Sequence, residues 1–188
     1  MDSRELVERG AHCSLVKLAA HCERLAGGRD MPYRRDFRAS QVPWVFESLF
    51  LLDVLHDEND YYFRLTGGLM EKAYGATLTG QRLSAIAGAG LQESLRASYD
   101  TVVATRAPLY VRGKYRWPNR EMEVERLLIP LADADGRLST ILGAVHAPVS
   151  ADLLVLLAGV GPATFVPAER PEFGNSSPSE PPAPALTP

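Results

Sequence analysis

Apolar and polar residues alternate in three successive runs near the middle of the chain. Leu109 to Trp117 is the first, Glu121 to Leu131 the second, and Leu138 to Ala147 the third. The first two are separated by Trp117-Pro118-Asn119-Arg120, and the last two by Asp135-Gly136, both turn signals. The pattern predicts three antiparallel strands joined by tight turns. With Pro118 and Asn119 central in the first turn, Arg112 faces Glu125, Lys114 faces Glu123 and Arg116 faces Glu121. Three opposite-charge pairs on one face fix the register, each contributing ~0.2–1 kcal/mol. The other, concave face carries Leu109, Val111, Tyr115, Met122, Val124 and Leu128, with Arg126 standing among Val111, Val124, Leu128 and Val145.

Upstream, residues 2–26 read as one helix with an apolar stripe of Leu15, Leu18, Ala19, Cys22, Leu25 and Ala26, stopped by Gly27-Gly28. Residues 29–43 have no periodicity, but Met31, Tyr33, Phe37, Val42 and Trp44 are too apolar for a loose linker, so an ordered connector is expected. Ser48 to His56 and Tyr61 to Thr66 are of strand character around Asp57-Glu58-Asn59-Asp60. Leu69 to Ala87 mixes short helical pieces with glycines. Leu91 to Thr105 is a helix with Leu91, Leu95, Tyr99, Val102 and Val103 on one face, ended by Pro108. The chain thus divides into an N-terminal amphipathic helix (1–28), a core (29–147), an apolar extension (148–166) and a Pro-rich tail (167–188) expected to be disordered.

The 188 residues suit one domain plus extensions, and the 46% apolar fraction suffices for a core. A net charge of −3 with both signs interspersed argues against a nucleic-acid partner. Cys13 and Cys22 do not suggest a disulfide framework. Met1 to Arg9 is polar, unlike a secretory leader, and Leu153 to Val166 is too short and glycine-broken to span a membrane. A cytoplasmic protein with no membrane partner is expected.

The order helix, strand, strand, short helices, long helix and three strands, together with "GGRDMPYRRDF", "LFLLDV", "YFRLTGG", "GATLTGQRL" and "ERLLIPLADADG" followed by "ILGA", resembles the single-domain PAS family of alphaproteobacteria (PAS_5) from about Leu15 to Ala147. The resemblance implies an α+β PAS fold. Its sheet has five antiparallel strands in the order 2-1-5-4-3, with helices across one face and an N-terminal helix besides. It also implies a sensory or protein-interaction role without catalysis. Gly68 departs from the family, whose members usually carry a small hydroxyl residue there.

Light-sensing flavin domains of this fold use a cysteine after the second strand, and Gly67 to Ala89 has none. Haem-binding members use a histidine, usually on the long helix, and none lies between His56 and His146. A thioester chromophore needs a core cysteine, whereas Cys13 and Cys22 sit in the N-terminal helix. Flavin adduct, haem and thioester chromophore are therefore disfavoured, and no cofactor is predicted. His12-Cys13 and His21-Cys22 resemble a metal pair, but their spacing of about 2.5 helical turns points them to opposite faces, away from a common ion.

The ligand-pocket candidates are Arg126, Arg64, Tyr99, Tyr115, Met122, Met70, Leu128 and Ile141. Arg126 is either an anchor for a carboxylate or phosphate, or a guanidinium paired within the helical insert or reaching the sheet edge. Arg64 either holds the Gly67-Gly68 turn or reaches a ligand near the mouth. On the convex face Leu127, Ile129 and Leu142 need a cover, which Leu15, Leu18, Cys22 and Leu25 can supply. In PAS proteins such a helix commonly also builds a homodimer, so these seven are the dimer-interface candidates. The leading expectation is a sensory module that binds a small molecule or a signalling protein, with no fused output domain. A ligand-free dimeric scaffold is the alternative. An isomerase- or dehydratase-like enzyme ranks last, because only Asp53 and His146 on the strands could supply acid–base chemistry.

Overall fold

The computed structural model describes residues 1–74, 76–86, 89–117, 120–147 and 164–167. Its strands are β1 (Leu49–Leu55), β2 (Asp60–Thr66), β3 (Leu109–Trp117), β4 (Arg120–Ala132), β5 (Leu138–His146) and β6 (Thr164–Pro167). They form one sheet in the order β2-β1-β5-β4-β3-β6. Five of these strands stand in the expected 2-1-5-4-3 order. The sixth corrects the expectation for the C-terminal region: Thr164 to Val166 were assigned to an apolar extension and Pro167 to a disordered tail. All four pair antiparallel with β3, from Gly113 opposite Pro167 to Arg116 opposite Thr164. A proline is tolerated there because an edge strand need not donate from every amide. The rest of the extension and tail, 148–163 and 168–188, lies outside the described residues, as do Pro118 and Asn119 of the first turn.

The β3–β4 register pairs Arg112 with Glu125, Lys114 with Glu123 and Arg116 with Glu121, as the charge pattern predicts. Arg116 Nε lies 2.7 Å from Glu121, and Lys114 Nζ lies 3.3 Å from Glu121 and 3.7 Å from Glu123. Arg112 is bridged to Glu125 instead: its Nε donates to the Tyr110 hydroxyl (2.9 Å), which donates to Glu125 (2.9 Å). These exposed pairs set register more than stability.

Alternation along the strands splits the core into two layers. Phe50, Leu52, Tyr61, Phe63, Val124, Leu128, Ile141 and Val145 point to one face. There they meet α3 (Gly68–Tyr74), α4 (Ala89–Thr105) and a 3-10 turn at Leu83–Ala85. Helix α4 buries Leu91, Leu95, Tyr99 and Val102, the face its spacing predicts. On the outer face Leu49, Leu51, Leu127, Ile129, Leu131, Leu142 and Ala144 are covered by the N-terminal helices and the connector.

The N-terminal region holds two helices where one was expected over 2–26: α1 (Ser3–Glu8) and α2 (Cys13–Ala26). Gly10 at φ +65° breaks the run. Each helix has its own cap. Asp2 Oδ1 accepts from the Arg4 and Glu5 amides (3.0 and 2.9 Å), and the His12 side chain caps α2. The connector is ordered as expected, with Met31, Phe37 and Val42 buried, although Trp44 is 43% exposed.

Candidate functional site

Arg126 is only 1% exposed, although it stands in the middle of a β-sheet. Strand alternation puts it on the inner face, between Val111 on β3 and Val145 on β5. Its guanidinium carbon lies 5.8 Å from the centre of the Tyr99 ring on α4. Burial pushes the Tyr99 and Tyr115 hydroxyls above the ordinary phenol range, and the Arg126 charge pulls each partly back. Tyr74 on α3 is raised by the same burial and lowered by the same cation. Three tyrosines from three elements thus share one buried positive field. Met70, Met122, Leu128 and Ile141 belong to the surrounding core layer.

Seven of the eight pocket candidates are therefore in one inner layer, and Arg64 is not. Its side chain is 57% exposed and its Nε donates to Asp53 Oδ2 at 2.6 Å. Asp53 is on the outer parity of β1, with Leu49 and Leu51, so Arg64 makes a cross-strand ion pair there. The Arg64 contact seen here is thus with Asp53 on the outer face, away from the inner layer. At that turn Glu47 is the neighbour, since a Cβ on Gly68 would lie 2.9 Å from Glu47 Oε2.

The dimer-interface candidates meet within one protomer. Leu15, Leu18, Cys22, Leu127, Ile129 and Leu142 are all buried within the protomer, and Leu25 packs partly buried beside them. The helix covers the sheet as anticipated, but this contact is intramolecular. With α2 docked, the six buried side chains are occupied within the protomer, whereas Leu25 keeps part of its surface. Cys22 is buried there, which pushes its thiol up to about 12, while Cys13 is exposed.

A polar cluster that the sequence reading missed fixes the helical insert to the sheet. Asp60 Oδ2 accepts from the Ser84 hydroxyl (2.6 Å), and its Oδ1 accepts from the Tyr61 amide (2.9 Å) and Arg96 (3.0 Å). Burial opposes ionisation of Asp60, but these donors outweigh it and hold the carboxyl below its ordinary range. The Tyr61 hydroxyl donates to Asp100 at 2.5 Å. Asp60 sits in a turn-like run, and nothing local distinguishes it from Asp57.

Two surface cavities lie away from Arg126. One of about 650 Å³ is lined by Val54, His56, Val103, Arg106, Arg137 and Leu138, among others. Another of about 360 Å³ lies beneath the N-terminal helices beside Cys22, Leu127 and Ile129. The two residues considered for acid–base chemistry do not meet: Asp53 pairs with Arg64, and His146 stacks on His12. Among the described residues no His, Cys, Asp or Glu cluster is arranged to hold a metal ion, and no helix is long and apolar enough to cross a membrane.

The sequence profile described as "PAS domain" matches residues 10–146. Similar solved structures include the PAS domain of Bordetella pertussis BvgS, 17% identical, covering 63% of this chain and 88% of that one with a TM-score of 0.48. A PAS domain from Colwellia psychrerythraea is 13% identical, with 57% and 94% covered and a TM-score of 0.43. A sensory box sensor histidine kinase from Vibrio cholerae is 15% identical, with 57% and 84% covered and a TM-score of 0.40. No curated protein matches the chain. A profile match over most of the described residues, on a sheet of the expected strand order, makes this chain a member of the PAS domain family, whose fold typically serves as a sensory or signalling module.

Proposed function

We propose that this domain senses a small, largely apolar anion held between the sheet and α4, and passes the signal through a protein interface. The observation that carries the reading is Arg126, a guanidinium 1% exposed, 5.8 Å from the Tyr99 ring and close enough for its charge to act on Tyr74 and Tyr115, in a core layer that includes Met70 and Met122. Taking a charge out of water is expensive, and a purely structural core is served as well by an apolar residue of similar volume. A planar, permanently charged fork suits a carboxylate or phosphate, tyrosine hydroxyls add donors, and methionines adapt to varied apolar bodies. Ligand-dependent repacking around Tyr99 would move α4 relative to β4. The outward surfaces of α1 and α2, including Val7 at 61% exposure, are where a signalling partner or second copy would meet the domain. The reading involves no catalytic step.

A ligand-free interaction scaffold is the second reading. It is favoured by the two surface cavities, neither of which Arg126 lines. A thermal-shift panel separates the two. Aromatic and medium-chain carboxylates are compared with their primary amides, on the wild type and on Arg126→Met. The sensor reading expects stabilisation by some carboxylates, little by the amides, and loss of the difference in the variant. No shift with any compound favours the scaffold, and equal shifts with acid and amide contradict an anion anchored by Arg126.

A further inference from the structure

The imidazole rings of His12 and His146 stack with centroids 3.4 Å apart and planes 2° from parallel. They join the residue that precedes α2 to the last residue of β5, so one contact ties the N-terminal cover to the strand end from which the C-terminal region leaves. His12 is also the N-cap of α2. Its Nδ1 accepts from the Ser14 amide (3.3 Å) and lies 2.8 Å from the Ser14 hydroxyl. An acceptor Nδ1 means a neutral ring carrying its proton on Nε2.

We propose that this stack is a proton-operated latch that holds α2 on the outer face of the sheet and releases it on acidification. Protonating His12 places a donor on Nδ1, so the Ser14 amide loses its acceptor. It also puts positive charge at a helix N-terminus, where the helix dipole is positive. A second proton on His146 puts two stacked cations in contact.

The groups facing the pair set the balance. Glu125, opposite His146 in the β4–β5 register, is the anion that favours a first proton. Its Oε2 already accepts from the His12 backbone N–H (2.7 Å) and the Tyr110 hydroxyl (2.9 Å). Arg112 adds a cation, held by Tyr110 and by the Gly10 carbonyl (2.6 Å). Lys114 and Glu123 line the same shallow surface and are solvated. Burial and His12 lower the affinity of His146 for a proton, while Glu125 raises it. The docked form therefore binds fewer protons than the released form. Docking is complete above the ordinary histidine value of 6.5 and weakens as pH falls below it. Release would bare Leu127, Ile129 and Leu142, an apolar face for a protein partner that exists only in acid. The latch does not depend on a ligand at Arg126.

His21, lower on α2, is also depressed, by burial and then by Arg24, against a Gln41 hydrogen bond. It must be separated from the stack. The test is hydrogen–deuterium exchange of the full chain at pH 7.5 and 5.5, corrected for intrinsic rates, followed in peptides covering residues 13–20. The wild type is expected to exchange there roughly tenfold faster at pH 5.5. His146→Phe keeps a ring, and His12→Asn keeps a capping acceptor; both are expected to flatten the response. His21→Asn is expected to retain it. Should either variant fold poorly, Glu125→Gln provides the second measurement: without the anion that raises the docked form's affinity for a proton, its release midpoint shifts to higher pH. A wild type insensitive to pH, a response surviving in both stack variants, a response lost in His21→Asn alone, or an unmoved Glu125→Gln midpoint each overturns the latch.

Discussion

The Phe50 ring occupies the space that a side chain on Gly143, its cross-strand partner, would need. The same ring lies 6.4 Å from Tyr99 and 6.5 Å from Phe63, so it links β1 and β5 to the helix above Arg126. Gly143→Ala must displace either the ring or the strand. It is expected to destabilise the domain by ~1–3 kcal/mol, the usual range for overpacking. Urea midpoints check this, and Phe50→Leu combined with Gly143→Ala should recover part of the loss. A neutral Gly143→Ala would contradict the packing described.

Asp60 is the electrostatic counterpart of that contact. Because its carboxyl is held below the ordinary value of 3.8, its contribution is complete above that pH and is lost as pH falls through the folded-state value. Asp60→Asn is expected to lower stability at neutral pH by about 2 kcal/mol, since charged hydrogen bonds to Ser84 and Arg96 are weakened. The gap between variant and wild type should close below pH 3.8, which urea titrations at pH 7 and in acid can follow. A gap independent of pH would assign the effect to packing.

The cysteines give a chemical test of the N-terminal cover. Cys13 is exposed and Cys22 is buried with its thiol pushed up to about 12. A disulfide reagent is expected to titrate one thiol promptly at pH 7.5 and the second only in denaturant. Two fast thiols under native conditions would show that α2 does not stay docked.

The hairpin of β3 and β4 was readable because its two-residue period and its charges agree on one register. Arg126 was readable from the same parity. The break at Gly10 was missed because the polar start of the chain has no stripe to interrupt, and β6 because four residues in a Pro-rich context have no period at all. The pairing of Arg64 with Asp53 was not legible, because the β1–β2 register shifts between Leu51 and Leu52 and no local pattern marks that shift. The convex leucines were correctly seen to need a cover. The sequence could not say that α2 would use them up within one chain. The His12–His146 stack depends on how α2 docks, which no local pattern encodes.

The central claim is that Arg126 anchors a small anion. The most direct measurement is native mass spectrometry of the purified wild type and Arg126→Met, followed by denaturation and identification of what is released. The account predicts a stoichiometric acidic compound from the wild type and its loss from a folded Arg126→Met protein. A wild type that carries nothing and binds nothing when offered a cell extract would contradict it, as would a compound retained equally by both proteins.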